Sequence, residues 1–219
     1  MLGARMLQAA SGAGVTYATP TLVQSATASG AASTTPVLAA PATAGNVLVA
    51  FVSTTGAISQ VSANEGSAGF WVAVGSDVVG GTVSTNIYRV DATGGEQTIS
   101  VAGVGGTAVA VIQEWSGLTT VLDVTPSTAS TASTVTSLAI GAMATTTRPV
   151  ALLGCVGAPG NMGTQSWASE ALTNTVGAAS RLMAGRLNKT TTGAYGTTGN
   201  WTTNRTASGL LVALRAKAA

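Results

Sequence analysis

Histidine is absent from the 219 residues. That removes the commonest general base and a frequent zinc ligand. The remaining acid–base groups are seven carboxylates: Glu65, Asp77, Asp91, Glu96, Glu114, Asp123 and Glu170. A glycosidase would need two of them brought together in space. No pair stands in the spacing of a calcium loop. Asp91 and Glu96 bracket Gly94-Gly95, the pattern of a hairpin tip. Serines are plentiful, but G-x-S-x-G is absent, and no imidazole could take the proton. Gly103-Val-Gly-Gly106 lacks the lysine and the following helix of a phosphate loop. The one cysteine, Cys155, lies in the apolar run Val150-Ala-Leu-Leu-Gly-Cys-Val156 and reads as a small core residue. A single cysteine excludes an intrachain disulfide. These residues predict no catalytic site, no cofactor-binding residues, no metal ligands and no enzymatic activity.

The aromatic residues offer a different chemistry, the stacking of a ring on a sugar. The tryptophans are Trp71, Trp115, Trp167 and Trp201. A buried indole removes a large apolar area from water, so Trp71 and Trp167, at matching places in the two halves of the chain, read as core. Trp201 lies in the polar segment Gly199-Asn-Trp-Thr-Thr-Asn-Arg-Thr206 and is expected to be exposed. With Tyr195 it forms the candidate pair for glycan stacking. Asn188, Asn200 and Asn204 begin N-x-[ST] sequons, which a Thr-rich chain produces by chance.

Composition limits what can surround such groups. Hydrophobic residues make up 46% of the chain, and charged residues only 7%, against roughly 25% in average soluble domains. Alanine, glycine, serine, threonine and valine supply most of the rest. This disfavours long helices and suits strands joined by Gly-rich turns. The surface must be covered by hydroxyls, small side chains and backbone, which favours self-association or residence in an assembly. The formal net charge is +2 with no Lys/Arg cluster to follow a phosphate backbone, so nucleic acid is not an expected partner. The bases concentrate after Asp123, as Arg148, Arg181, Arg186, Lys189, Arg205, Arg215 and Lys217. This reads either as chance in a charge-poor chain or as a weakly basic face for an acidic partner. No run reaches the roughly 18–20 apolar residues of a membrane span, and no continuous apolar stretch marks a secretory signal.

The elements that would carry these residues are strands. Strand-like runs recur about every ten residues, the spacing of an all-β sandwich or barrel. They are expected near 19–27, 32–38, 46–54, 69–74, 82–90, 97–102 and 107–115, then near 134–141, 149–156, 164–171, 178–187, 194–201 and 206–215. Val47-Leu-Val-Ala-Phe-Val52 is apolar on both faces, so it is a candidate central strand covered by a second sheet on one side and by loops or a neighbour on the other. The halves echo each other: Val47–Ser53 with Val150–Val156, Phe70-Trp71 with Ser166-Trp167, Asn86–Val90 with Ser180–Leu187, and Val109–Trp115 with Leu210–Arg215. The expectation is an all-β, two-sheet antiparallel β-sandwich, jelly-roll-like, in which each half contributes strands to both sheets. One domain over 15–219 would hold halves of about 15–118 and 134–219, with 116–133 as the crossover. Ahead of it, residues 1–14 form a short N-terminal arm. Leu2 and Met6 fall on one helical stripe with Leu7 beside it. Such a segment is too short to be a stable helix alone and either frays or orders on docking.

Two sets of residues carry a resemblance. Met1-Leu-Gly-Ala-Arg-Met-Leu-Gln-Ala-Ala10 resembles the start of minor tail proteins of phages that infect actinobacteria. Pro41-Ala-Thr-Ala-Gly-Asn-Val-Leu-Val-Ala50, Ile87-Tyr-Arg-Val90 and Val109-Ala-Val-Ile-Gln-Glu-Trp-Ser-Gly-Leu118 are similar to a β-sandwich module of phage virion and bacterial surface proteins. The resemblance covers most of residues 1–118 and, more loosely, the second half. It implies a structural virion component in the phage particle, a minor tail protein anchored through Leu2, Met6 and Leu7. Its partners would be other virion proteins and copies of itself. Two alternatives stand beside it: a capsid decoration protein on the head shell, and a carbohydrate-binding module for a host-surface glycan. No cofactor, nucleic acid or membrane insertion is implied.

Overall fold

The computed structural model describes residues 15–63, 71–144, 146–170, 172–177 and 180–219. The expected two-sheet antiparallel β-sandwich is present. The first sheet holds β1 (Thr21–Thr34), β2 (Val47–Thr55), β3 (Ile58–Ala63), β4 (Val72–Ala73), β5 (Val78–Gly80), β6 (Val83–Asp91) and β7 (Ile99–Ser116). The second holds β8 (Leu118–Leu122), β9 (Ser127–Ile140), β10 (Val150–Gly157), β11 (Gln165–Ser169), β12 (Thr173–Val176), β13 (Leu182–Lys189) and β14 (Thr197–Ala216).

The strand allotment differs from the jelly-roll expectation. Strands β1–β7 build one sheet and β8–β14 the other, so neither half feeds both. The main order in the first sheet is β1-β7-β2-β6-β4, with β3 also on β7 and β5 on β6. In the second sheet β14 pairs with β8, β9, β10 and β11, and β10-β13-β12 follows. The halves therefore share a plan. A long hub strand, β7 or β14, carries a 14-residue edge strand, β1 or β9, on one side and a buried central strand, β2 or β10, on the other. Strand β6 lies over β14 and β5 over β9, while β7 lies over β13. The two long edges consequently sit at opposite margins of the sandwich.

The expected crossover, 116–133, is mostly strand: β8 and the start of β9 occupy it. Gly103–Gly106 was expected to separate two strands, but β7 runs through it with Gly105 and Gly106 at φ 76° and 72°. The Gly94-Gly95 turn is not a hairpin tip. It joins β6 to β7, and β2 lies between them.

Alternation of side chains divides the interior into three apolar layers. Val47, Val49, Phe51 and Val111 meet Ala151, Leu153, Cys155 and Val212 between the sheets. Leu48, Ala50, Val52 and Ile112 point the other way and are covered by Leu38, Ala42 and Val61. On the far face of the second sheet, Val150, Leu152 and Leu211 lie under Met143, Met162, Trp167 and Tyr195. Double-sided burial explains why β2 and β10 are apolar at consecutive positions. It also corrects the echo by one residue. Val47 faces the inter-sheet layer but Val150 faces outward, so Val47 corresponds in direction to Ala151.

Candidate functional site

Among the described carboxylates, the best-connected ones serve as anchors for loops. Glu114 on β7 is fully buried and accepts from Gln24 Nε2 at 2.6 Å, Thr43 N at 2.8 Å and Asn46 Nδ2 at 2.5 Å. Burial alone would raise its pKa. The hydrogen bonds outweigh that and hold it below the ordinary value. Glu96 is also fully buried and closes the Gly94-Gly95 turn by accepting from Thr93 N, Thr93 Oγ1 and Gly94 N. Its pKa too is lowered, with burial opposing and these bonds prevailing. Asp123 accepts from Thr147 N and Oγ1 and from Arg215 Nε at 3.1 Å, with Arg148 Nε at 3.6 Å. Burial again works against the lowering that Thr147 and Arg215 produce.

The other acids are committed in the same way. Asp77 accepts from Asn86 Nδ2 at 2.9 Å, and Asp91 from Thr120 Oγ1 at 3.1 Å. Glu170 pairs with Lys189 at 2.5 Å. Glu65 lies outside the described residues. Among the described residues no three His, Cys, Asp or Glu side chains are grouped to hold a metal ion.

Cys155 is fully buried between the sheets, and burial pushes its thiol pKa up. A thiol held in its protonated form is a poor nucleophile.

The stacking platform expected at Trp201 and Tyr195 is not formed. Trp201 is 4% exposed and Tyr195 6%, and both belong to the outer layer of the second sheet. Trp201 Nε1 donates to Val135 O at 2.9 Å, and Tyr195 Oη donates to Thr191 O at 2.6 Å. The reason is local. The polar segment around Trp201 belongs to the first half of β14, whose alternation sends the indole inward and Thr202 outward. Trp167 is core as expected, but Trp71 is only half-buried. The two are not equivalent: Trp167 lies on β11, which pairs β14, while Trp71 precedes β4, which pairs β6. The anchoring residues Leu2, Met6 and Leu7 lie outside the described residues.

Two features escaped the sequence reading. One is a cleft of about 440 Å³ at the margin beside β1, lined by Thr19–Leu22, Trp115, Thr173 and Arg186–Asn188. Arg186 reaches Thr175 Oγ1 at 3.2 Å and makes no ion pair among the described residues. Its pKa is lowered by burial. No local motif announces this cleft, because its walls come from both halves of the chain. The other feature is the end of the sandwich where the described chain begins. Tyr17 bridges to Ala218, and Ala18 N donates to Lys217 O at 2.8 Å. Residues 15–18 therefore lie against 217–219.

No family model, curated protein or solved structure matches the chain.

Proposed function

We propose that the chain is a structural component of a bacteriophage virion, a minor tail protein docked through residues 1–14 with its sandwich projecting from the particle. The reading rests on the resemblance of Met1–Ala10 and of the Pro41–Ala50 and Val109–Leu118 segments. The observation that carries it furthest is the use made of the few charges. Glu96, Glu114 and Asp123 hold loops to strands, so recognition falls to shape, hydroxyls, backbone and scattered valines such as Val15, Val104 and Val121. An assembly protein works with such a surface.

The test is incorporation. Deleting residues 1–14 should leave a folded sandwich that is missing from purified particles. Normal incorporation of the truncated chain would sink the anchoring role. Copy number separates a tail position from head decoration, since decoration of a shell demands far more copies than a tail tip.

A further inference from the structure

Strand β1 is an edge. Among the described residues it pairs only with β7, along its whole length from Thr21 to Thr34. Its register is regular from Gln24 to Ala31, with irregularities confined to Leu22/Gln24 and Ala31/Ser33. Folded proteins usually protect such an edge with lysine, proline, an inward charge or a bulge in mid-strand. The run Gln24-Ser-Ala-Thr-Ala-Ser-Gly-Ala31 has none of these. The other long edge, β9, is interrupted: its register on β14 breaks between Thr131 and Val135 and again between Val135 and Ser137. Of these two described edges, β1 alone offers eight consecutive regular positions.

The run is also self-complementary. Ser25-Ala-Thr-Ala-Ser29 reads the same in both directions about Thr27. Two antiparallel copies centred there place Ser25 opposite Ser29, Ala26 opposite Ala28 and Thr27 opposite its own counterpart. The two Ser25–Ser29 hydroxyl pairs contribute favourably across strands, and no charge is brought against another. Ser25 and Ser29 are both exposed, so neither side chain has to leave the core to face a partner strand.

We propose that β1 is a homodimer interface: two copies of this chain join β1 to β1, antiparallel and centred on Thr27, about a two-fold axis. The first sheets of the two copies then form one continuous sheet. A two-fold contact of this kind is isologous and closes on itself, so assembly stops at two copies through this edge. This partner assignment does not depend on the virion reading, because it is tested on the isolated chain and not on particles.

The test is sedimentation of the purified full chain over a range of concentrations. The wild type is expected to reach about twice the 21.3 kDa chain mass. The double variant S25K/S29K sets like charges opposite each other at two places and is expected to sediment as a monomer. S25K/S29E sets opposite charges across the same two places and is expected to restore the dimer. S130K/T134K, at exposed positions of β9, is expected to remain dimeric. Circular dichroism and Tm establish that each variant is folded. A wild-type monomer at all concentrations overturns the proposal. So does a dimer that survives S25K/S29K, one that dissociates in S130K/T134K, or one that is lost when residues 1–14 are deleted. The last result would assign the contact to the arm.

Discussion

Asn46 and Glu114 meet across 68 positions of sequence, with Asn46 Nδ2 donating to Glu114 Oε1 at 2.5 Å. The first residue comes from Pro41–Ala50, the segment that leads into β2, and the second from Val109–Leu118, which carries the end of β7. Their contact shows what these segments do in this chain. Gly45, at φ +83°, turns the loop so that Thr43 N and Asn46 both reach the carboxylate, and Gln24 reaches it from β1. One side chain thus ties the edge strand, the loop entering β2 and the hub strand together.

Replacing Glu114 with alanine removes the acceptor of the Thr43 N–H and of the Asn46 amide, and one of the two acceptors of Gln24 Nε2, which keeps Ala40 O. A polar group buried without a partner costs about 1–3 kcal/mol, and water offsets part of that cost here because Thr43 is exposed and Gln24 and Asn46 are only half-buried. E114A should lower Tm clearly and loosen the 39–46 loop, measured by hydrogen exchange at Thr43. Unchanged exchange there would show that the loop holds by its apolar contacts alone.

Acid should destabilise the protein in a definite window. Glu96, Glu114 and Asp123 all have folded pKa values below their ordinary ones, 4.5 for Glu and 3.8 for Asp. A lowered folded pKa stabilises the folded state fully above the unfolded value, and the contribution is lost as pH falls through the folded one. Denaturant midpoints should therefore be flat on these groups' account above about pH 5.5 and fall below about pH 4.5. In E114Q the fall should be smaller. An identical acid limb in wild type and E114Q would remove Glu114 from this role.

Trp201 is a core residue, so its loss should read out as stability. Truncating a buried tryptophan to alanine costs about 3–5 kcal/mol. W201A should show a large drop in Tm. Trp201→Phe, which keeps a ring but loses the bond to Val135 O, should fall in between. A W201A protein as stable as the wild type would contradict the burial of this side chain.

Cys155 should be silent to a thiol reagent in the native protein and react fully after unfolding. Burial between Leu153 and Ala184 leaves no path for the reagent. Labelling at a rate matching global unfolding is the expected result, and rapid labelling without denaturant would refute it.

The fold class was legible because double-sided burial writes itself into sequence. Val47–Val52 and Val150–Val156 are apolar at nearly every position, and only a strand covered on both faces needs that. The assignment of strands to sheets was not legible. Sequence periodicity says which residues share a face, but not which strand lies beside which. The short elements β3, β5 and β12 were hidden for a related reason: their pairing with β7, β6 or β13 defines them more than their own residues do. Trp201 misled because its neighbours are polar. Asn200, Thr202 and Asn204 describe the wet side of a strand whose other side is dry. The Glu114 anchor was invisible for want of a spacing rule, since its three partners come from β1 and a loop far away in sequence.

Because each half of the chain builds a complete sheet, the inter-sheet layer is in effect an interface between two polypeptides that happen to be fused. The covalent passage from one to the other is the single step at Gly117, between β7 and β8. Polar links between the two sheets' chains include the bridge from Tyr17 to Ala218, the bond from Asn188 to Pro20, the buried hydroxyl pair Thr85–Ser208 and the bond from Thr120 to Asp91. A chain cut at that passage would consist of two fragments, each with one apolar face that only the other can cover. Such fragments should be insoluble apart and reconstitute when co-expressed, which makes Gly117 a natural position at which to divide this protein or to insert a guest sequence into it.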